Sequence, residues 1–408
     1  VTCREPDLGP AEIEVGSDGG RCRLSWHFHG SQAPTFRCLC FDSWADVVAD
    51  HRRWMQETSG VRPVAEVAPA WLANCPLMVY LDIETVDSKG LHHDFDDVAR
   101  LASSLTDSGA PANTTVYLTS WNHGGERRWP TYEPSEPAGG LESLQRAADA
   151  LHARGFRLML HANVWGASPT HPEYTSLISS TVHNRAGHPL RWREFHGSRV
   201  SEYFYVRPNA RAFRELFWGS LRPLVETLQL DALYLDQAGL LVDDPSADML
   251  SATRQLIDTI RADAPDLVLG GQVLTSRLCD VIPLWQLWGT PWSGQGWGQP
   301  FRRRSPLIAD LFRGFTRFCG HIHLPAAVPG RYLWTHEGFA NDLGLVGCFL
   351  AAQEDNTYHG AIPSVRLNFR EHGIDALSSE VIQQAARLTD ARPPEAVTAE
   401  ASPETPPV

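Results

Sequence analysis

Short apolar runs alternate with longer amphipathic stretches along most of this chain. The short runs are typical of buried strands, and they lie at residues 77–81, 115–119, 156–160, 232–235, 267–269 and 281–287. The longer stretches carry apolar residues at helical spacing, and they lie at residues 94–105, 141–154, 209–230 and 246–264. Strands that alternate with helices predict a parallel sheet with crossover connections.

The number of these units favours a closed barrel. About eight strand–helix units close a (β/α)8 barrel, and a further apolar run at 347–350 extends the series toward that number. The alternative is an open, doubly wound sheet, but no Gly-x-Gly-x-x-Gly follows the first strand. We therefore predict an α/β fold, a (β/α)8 TIM barrel with a short N-terminal β-rich segment.

The chain divides into three predicted parts. Within residues 1–60, the segments 13–26 and 35–41 alternate like antiparallel strands, and a helix is predicted over 42–57. Residues 61–392 form the predicted barrel. Residues 393–408 are mostly Pro, Glu, Ala and Thr, so we expect a disordered tail there.

Polar and aromatic side chains gather where the apolar runs end. In a parallel barrel, the C-terminal ends of the strands carry the active site. The residues predicted to line it are Asp82, Glu84, Trp121, Asn122, His161, Asn163, Trp165, Asp236, Gln237, Gln272, Trp285 and Trp288. The alternatives are a turn or N-cap role for Asp236, a solvated turn for Asp82 and Glu84, and a core role for His161 and His123.

Two segments are predicted to be long loops over that face. Residues 166–208 carry Tyr174, Trp192, Tyr203 and Tyr205, and residues 289–305 carry Trp292 and Trp297 among glycines. The glycines of the second segment predict a mobile lid. The alternative is a disordered insertion.

Composition narrows the class of partner. The chain has 48 acidic and 35 basic residues and a formal charge of -13, which argues against nucleic acid or an anionic membrane surface. Its 14 tryptophans favour sugar, because flat aromatic faces suit the apolar faces of sugar rings. No apolar run approaches the roughly 18 residues that span a bilayer. A carbohydrate partner is therefore predicted, and the sequence does not predict the oligomeric state.

Cysteines and histidines add little chemistry. The eight cysteines are scattered without a Cys-x-x-Cys pair, which favours unpaired thiols over a disulfide framework. No histidine pair follows the first barrel strand at metal-ligand spacing; the pairs are His27/His29, His92/His93 and His321/His323. No metal or other cofactor is therefore expected. The N-terminus shows no signal-peptide pattern, which favours a cytoplasmic protein, although the chain starts at Val1 and a removed signal stays an alternative.

Several sequence motifs resemble a known family. They are Trp121-Asn122-His123-Gly124-Gly125, Tyr132-Glu133-Pro134, Gly139-Gly140-Leu141, the segment 152–163 that ends in His161-Ala162-Asn163, and Tyr234-Leu235-Asp236-Gln237. They resemble bacterial glycoside-hydrolase-like TIM barrels that are distantly related to the retaining α-galactosidase superfamily. The resemblance covers about residues 71–280.

The resemblance implies roles for two carboxylates. In that superfamily, the carboxylate that ends the fourth strand is the nucleophile, which corresponds to Asp236 here. A carboxylate near the sixth strand is the general acid/base, and Asp280 matches it most nearly. Gln272 stands where a Glu would be expected, which is a departure from the family pattern. Other candidates for the acid are Glu84, Glu337, Glu354 and Asp355.

The predicted function is a glycoside hydrolase, a retaining α-glycosidase that acts on a carbohydrate or a glycosylated small molecule. Such enzymes use two carboxylates about 5 to 5.5 Å apart. One alternative is a catalytically silent sugar-binding barrel, which Gln272 favours. A second alternative is a metal-dependent hydrolase.

Overall fold

A computed structural model describes most of the predicted barrel. The described residues are 12–18, 21–27, 43–84, 90–184, 186–196, 199–240, 242, 248–287, 307–320 and 347–351. They form a two-stranded hairpin, an eight-stranded sheet with its helices, and a separate three-stranded sheet. The predicted strand at 35–41, the predicted lid at 289–305 and the predicted tail at 393–408 lie outside this set.

The secondary structure follows the predicted alternation. The strands in chain order are β1 Glu12–Asp18, β2 Arg21–His27, β3 Leu77–Asp82, β4 Thr115–Thr119, β5 Arg157–Asn163, β6 Gly166–Ala167, β7 Arg191–His196, β8 Arg199–Tyr205, β9 Ala232–Asp236, β10 Val268–Gln272, β11 Leu284–Leu287, β12 Arg317–Gly320 and β13 Gly347–Ala351. The helices are α1 Trp44–Ser59, α2 Val64–Val67, α3 Ala70–Ala73, α4 Phe95–Asp107, α5 Gly140–His152, α6 Tyr174–Leu177, α7 Arg211–Leu228, α8 Met249–Asp263 and α9 Leu307–Phe312. Two 3₁₀ turns lie at Gly125–Arg128 and Ile178–Ser180.

The eight-stranded sheet has the strand order of a barrel. Its order is β12-β11-β10-β9-β5-β4-β3-β13, and the neighbouring strands with a recorded register run parallel. The last strand, β13, pairs with the first, β3, and the two edge strands β12 and β13 approach each other. The strands therefore follow one another around a ring, which confirms the barrel and excludes the reversal of order that defines a doubly wound sheet.

The sheet separates two apolar layers. Alternate residues of a strand point to opposite faces, so Leu77, Val79 and Leu81 of β3 pack outward against the helices. Met78 and Tyr80 point inward and join a second cluster inside the barrel. Because both faces are covered, the strands are apolar almost throughout, as expected for parallel sheets.

Local signals fix the ends of the helices. Helix α4 begins with a capping box, in which the Asp94 side chain accepts a hydrogen bond from the Asp97 amide and Asp97 returns the contact. The Asp248 carboxylate caps α8 by accepting from the Ser251 amide. Helix α1 begins after the Ser43 cap and ends at Gly60, whose left-handed φ of 64° suits glycine.

Three sequence predictions are corrected or confirmed by this arrangement. The β1–β2 hairpin confirms antiparallel strands within the segment 13–26. Residues 166–208, predicted as a loop, contain the antiparallel sheet β6-β8-β7. Of the predicted strand 281–287, only Leu284–Leu287 is a strand, since the Val281 and Ile282 amides donate to the Leu278 carbonyl in a turn. No helix among the described residues combines the length and apolarity needed to cross a bilayer.

The loops after β9 and β10 interlock at Gly239. The Gly239 amide donates to the Gln272 carbonyl at 3.0 Å, and a Cβ at this glycine would lie 1.7 Å from the Val273 carbonyl oxygen. We expect Gly239→Ala to destabilise the fold by about 1–3 kcal/mol, because the backbone of one loop must move. Thermal unfolding measures the change.

Gly219→Ala is the matched control. Gly219 lies on α7 with nothing within 4 Å of an added Cβ, so alanine should stabilise by about 0.5–1 kcal/mol. Equal effects of the two substitutions would show that the loops do not interlock.

Candidate active site

The period of two along the strands places one ring of polar side chains at the C-terminal end of the barrel. Its members are the inward-facing residues Asp82, Thr119, Asn163, Asp236 and Gln272. The strand register pairs Asp82 with Thr119 and Asn163 with Asp236. These five residues are called the upper ring below. Asp236 therefore ends the fourth barrel strand and Gln272 ends the fifth, as the sequence predicted.

A layer of aromatic rings closes the barrel beneath the upper ring. Tyr117 lies between Tyr80 and Tyr234, with ring centroids 4.9 and 5.1 Å apart, and His161 stacks on Tyr234 at 5.7 Å. The Tyr234 hydroxyl donates to Gln286 on β11. Burial raises the pKa of both Tyr117 and Tyr234 well above the ordinary value, and the negative charge of Asp236 adds to this. The layer is therefore a neutral, apolar floor.

Asp236 is held by two neighbours on β5. Its Oδ2 accepts a hydrogen bond of 2.8 Å from Asn163 Nδ2. His161 Nε2 lies 3.9 Å from the same oxygen. The Asp236 side chain is 15% exposed and the His161 side chain 13% exposed. The carboxylate is thus partly open to a ligand while one face is fixed by protein.

The Asn163 side chain is fixed on its other side by backbone. Its Oδ1 accepts from the amides of Trp165 at 2.9 Å and Gly166 at 2.7 Å. A Cβ at Gly166 would lie within 3.0 Å of Trp129, Trp192 and Asn163, so only glycine allows this approach. Because Oδ1 is occupied by two donors, Nδ2 must point toward Asp236.

The loop after β4 holds the end of β5 through hydrogen bonds from two aromatic side chains. Trp121 Nε1 donates to the His161 carbonyl at 2.8 Å. The Tyr132 hydroxyl accepts from the Asn163 amide at 2.7 Å and lies 3.3 Å from the Asn163 carbonyl, to which it donates. Trp121 and Tyr132 also stack on each other with centroids 6.0 Å apart. The sequence motifs that contain Trp121 and Tyr132 therefore pack together and hold the end of β5.

Trp129, from the loop after β4, and the insertion 166–208 together form an aromatic wall beside His161. Trp129 stacks on His161 at 6.2 Å and packs against Tyr203 at 5.2 Å. Trp192 on β7 lies 4.9 Å from Tyr203 and 4.5 Å from Tyr205, both on β8. Trp192 is partly exposed, whereas Trp129 and Tyr203 are buried. The sequence analysis singled out Trp192, Tyr203 and Tyr205 as loop residues, but it missed Trp129 and the sheet that orders them.

The carboxylates at the end of β3 and just beyond it are buried. Asp82 is 2% exposed and accepts from the Thr119 hydroxyl. Glu84 is 4% exposed, and its Oε1 accepts from the Gly124 amide at 3.3 Å. The solvated-turn alternative is therefore wrong for both. Asp82 belongs to the upper ring, and Glu84 lies two residues beyond it, against the loop after β4.

Several predicted ligand contacts are instead parts of the core. Trp121 and Trp165 are fully buried. Trp285 is also fully buried and pairs with Gly271, so it points outward to the helical layer. Asn122 is 3% exposed and donates to the Gly125 carbonyl at 2.8 Å. None of these four side chains lines an open site. The aromatic character of the three tryptophans signalled packing, which large buried rings often provide. Trp288 lies outside the described residues.

Asp280 is at the wrong end of the barrel for the acid/base role predicted from the sequence. It precedes β11 and forms a two-pronged salt bridge with Arg254 of α8, with one arm of 2.9 Å. It also lines a cavity of about 800 Å³ together with Asp231 and Val268, which lie at the N-terminal ends of β9 and β10. Asp280 comes before β11, which runs parallel to its neighbour, so it lies at the end of the barrel opposite Asp236.

Two neighbouring strand ends have unusual backbone. Gln237 and Val273 follow Asp236 and Gln272 directly and have φ values of 62° and 64°. Positive φ is costly for a β-branched residue such as Val273. Gln272 is 8% exposed, and Gln237 is partly buried. The left-handed residues turn the chain sharply, so both strands end at the upper ring.

Sequence reasoning missed Tyr117, Thr119, Tyr234 and Gln286 as components of the site. The signal was present, since each lies an even number of residues from an inward-facing neighbour on its own strand. The described residues contain no group of three or more His, Cys, Asp or Glu side chains arranged to hold a metal.

Comparisons with known proteins identify the fold. No protein-family model and no curated protein matches the sequence. Among solved structures, alpha-N-acetylgalactosaminidase NagBb from Bifidobacterium bifidum has a TM-score of 0.68 at 14% identity, over 94% of this chain and 64% of that chain. An alpha-amylase from Lactobacillus plantarum has a TM-score of 0.51 at 14% identity, over 78% and 81% of the two chains.

A third similar structure is a GH36 alpha-galactosidase from Geobacillus stearothermophilus, with a TM-score of 0.50 at 12% identity, over 84% of this chain and 45% of that chain. The chain thus spans 64% of the length of the alpha-N-acetylgalactosaminidase. These likenesses show that the protein has the barrel fold of glycoside hydrolases.

The position of Asp280 generates a stability prediction. Asp280→Asn removes the anion that pairs with Arg254, and we expect a loss of about 1 kcal/mol because the pair is partly exposed. The double variant with Arg254→Gln should show a coupling of similar size in a double-mutant cycle. A change in ligand binding or turnover at unchanged stability would instead place Asp280 in the site.

Proposed function

We propose that the protein is a retaining α-glycosidase in which Asp236 is the nucleophile. The observation that carries the proposal is the inward-facing, partly exposed Asp236 carboxylate at the end of the fourth strand of a glycoside-hydrolase barrel. The Asn163 hydrogen bond favours its ionised form, which a nucleophile needs.

The geometry supports the chemistry of that step. A glycosidic bond breaks through an oxocarbenium-like state that a carboxylate captures as a covalent glycosyl intermediate. The aromatic floor of Tyr117 and Tyr234 excludes water from the inner side of Asp236. His161 lies beside this carboxylate, Trp129 stacks on His161, and the partly exposed Trp192 packs against Trp129. A flat, partly exposed ring such as that of Trp192 suits stacking on a sugar.

The second carboxylate is the weak point of the mechanism. Gln272 occupies the end of the fifth strand and has no acidic proton, and Asp280 lies at the other end of the barrel. Of the other residues considered for the general acid, Glu84 is the one within the described part of the chain. It is buried at the same end of the barrel as Asp82. Glu337, Glu354 and Asp355 lie outside the described residues.

The substrate is proposed from the named activities of similar structures. These are an alpha-N-acetylgalactosaminidase and an alpha-galactosidase. We therefore expect α-linked N-acetylgalactosaminides and galactosides to be the first glycosides to test.

Asp236→Asn tests the nucleophile. We expect turnover of an aryl α-glycoside to fall by several orders of magnitude with sugar binding nearly intact, because an amide cannot form the glycosyl intermediate. Asp258→Asn, on the exposed face of α8, is the control and should be neutral. Retention of more than about a tenth of the wild-type rate, under ~1.4 kcal/mol in barrier terms, would reject the assignment.

The leaving group tests the missing acid. An activated aryl leaving group departs without protonation, so wild type should cleave it far faster than an alkyl glycoside. If Glu84 supplies the proton, Glu84→Gln should slow only the alkyl glycoside. Gln272→Glu should accelerate alkyl-glycoside cleavage if its position suits proton donation. Equal effects on both substrates would place these residues in binding or folding.

A second candidate function is a sugar-binding barrel without catalysis, and Gln272 is the observation that favours it. Calorimetry with the same glycosides separates the two functions. Binding without turnover in wild type, together with no gain in Gln272→Glu, would make the silent barrel the better assignment.

A further inference from the structure

The sequence predicted that Asn163 contacts sugar, but the structure places this residue in the protein interior. The residue is fully buried on β5, with 0% of its surface exposed. Every polar group that it carries has a partner within the protein. A fully buried side chain cannot touch a ligand, so its function must pass through a neighbour.

That neighbour is Asp236. Nδ2 of Asn163 donates to Asp236 Oδ2 at 2.8 Å, while Oδ1 accepts from two backbone amides. The Asn163 amide and carbonyl are both bound to the Tyr132 hydroxyl. Five hydrogen bonds within the protein, including the one to Asp236, therefore fix the position of Nδ2. None of them depends on a ligand.

We propose that Asn163 is a positioning residue that fixes the orientation of the Asp236 carboxylate and stabilises it as an anion, with Tyr132 holding Asn163 in place. Its catalytic meaning rests on the proposed function, in which Asp236 is the nucleophile. The electrostatic effect itself needs no substrate.

The direction of the effect follows from the donor. A hydrogen bond from an amide N–H to a carboxylate favours the charged form, so loss of the donor disfavours ionisation of Asp236. Other titratable groups face the same carboxylate and must be considered. They are His161 on β5, Tyr117 on β4 and Tyr234 on β9. Asp82 on β3 acts on Tyr117, and Cys319 on β12 acts on both tyrosines. All of them remain in an Asn163 variant.

The test is a direct titration of Asp236. Carbon-13 NMR of protein labelled at the aspartate carboxyl carbons reports each ionisation, and the Asp236 signal is the one that Asp236→Asn removes. In Asn163→Ala, we expect its midpoint to rise by about one pH unit. A midpoint within about 0.3 unit of wild type, in a protein with an intact fold by circular dichroism, overturns the proposal.

Two further variants keep the test decisive. Asn163→Asp retains an oxygen for the Trp165 and Gly166 amides but adds a second carboxylate, so the Asp236 midpoint should rise by more than one unit. If Asn163→Ala does not fold, this variant decides, and an unchanged midpoint overturns the proposal. Tyr132→Phe keeps the Asn163 side chain and should shift the midpoint in the same direction by a smaller amount.

The control introduces the same charge elsewhere. Asn113 lies before β4 at the opposite end of the barrel, where its Oδ1 accepts from Arg157. Asn113→Asp should leave the Asp236 midpoint unchanged. An equal shift in this control would mean that general charge, and not the Asn163 donor, sets the ionisation.

The outcome also separates this inference from the proposed function. A shift without turnover of any glycoside supports the role of Asn163 and counts against the glycosidase. Turnover that depends on Asp236, with no shift in the Asn163 variants, supports the glycosidase and rejects the positioning role. If both hold, the acid limb of the kcat/KM profile should move upward in pH with the NMR midpoint.

Discussion

The hydrogen bond from Asn163 to Asp236 is the contact on which the rest of the site depends. It connects two adjacent barrel strands at their ends, where backbone pairing between β5 and β9 stops. A barrel strand end is free to move unless side chains hold it. Here Tyr132 and Trp121 bind the backbone of β5, Asn163 binds Asp236, and the chain then turns at Gln237. The carboxylate is thereby fixed before any ligand arrives, which lowers the cost of reaching a reactive geometry.

The layers below and beside this contact set its electrostatics. Tyr117 and Tyr234 stay neutral because burial raises the pKa of each phenol. They separate Asp236 from the polar groups at the other end of the barrel, where Asp231 binds Arg157 and His152. Similarly, the salt bridge of Asp280 with Arg254 belongs to the N-terminal side. In the proposed function, the two ends of the barrel therefore divide catalysis and stability, as is usual for this fold.

The fold was largely predictable from the sequence because its period is strong. Buried strands such as Leu77–Asp82 alternate with capped helices such as Phe95–Asp107, and the polar residues that end the strands marked the correct face. The inward or outward direction of each residue was harder, because it depends on the register of a strand whose ends are uncertain. Asp280 precedes β11 and therefore lies at the opposite end, and Trp285 proved to face the helices. The network around Asn163 joins residues up to 73 positions apart, which spacing along the chain does not reveal.

The central claim is that Asp236 attacks a sugar. An activated fluoro-sugar forms a glycosyl intermediate that breaks down slowly, so the labelled residue can be found by mass spectrometry of peptides. We predict one sugar per chain, attached to the peptide that contains Asp236, and no label in Asp236→Asn. A label on another carboxylate, or an unlabelled chain that still turns over glycosides, would contradict it.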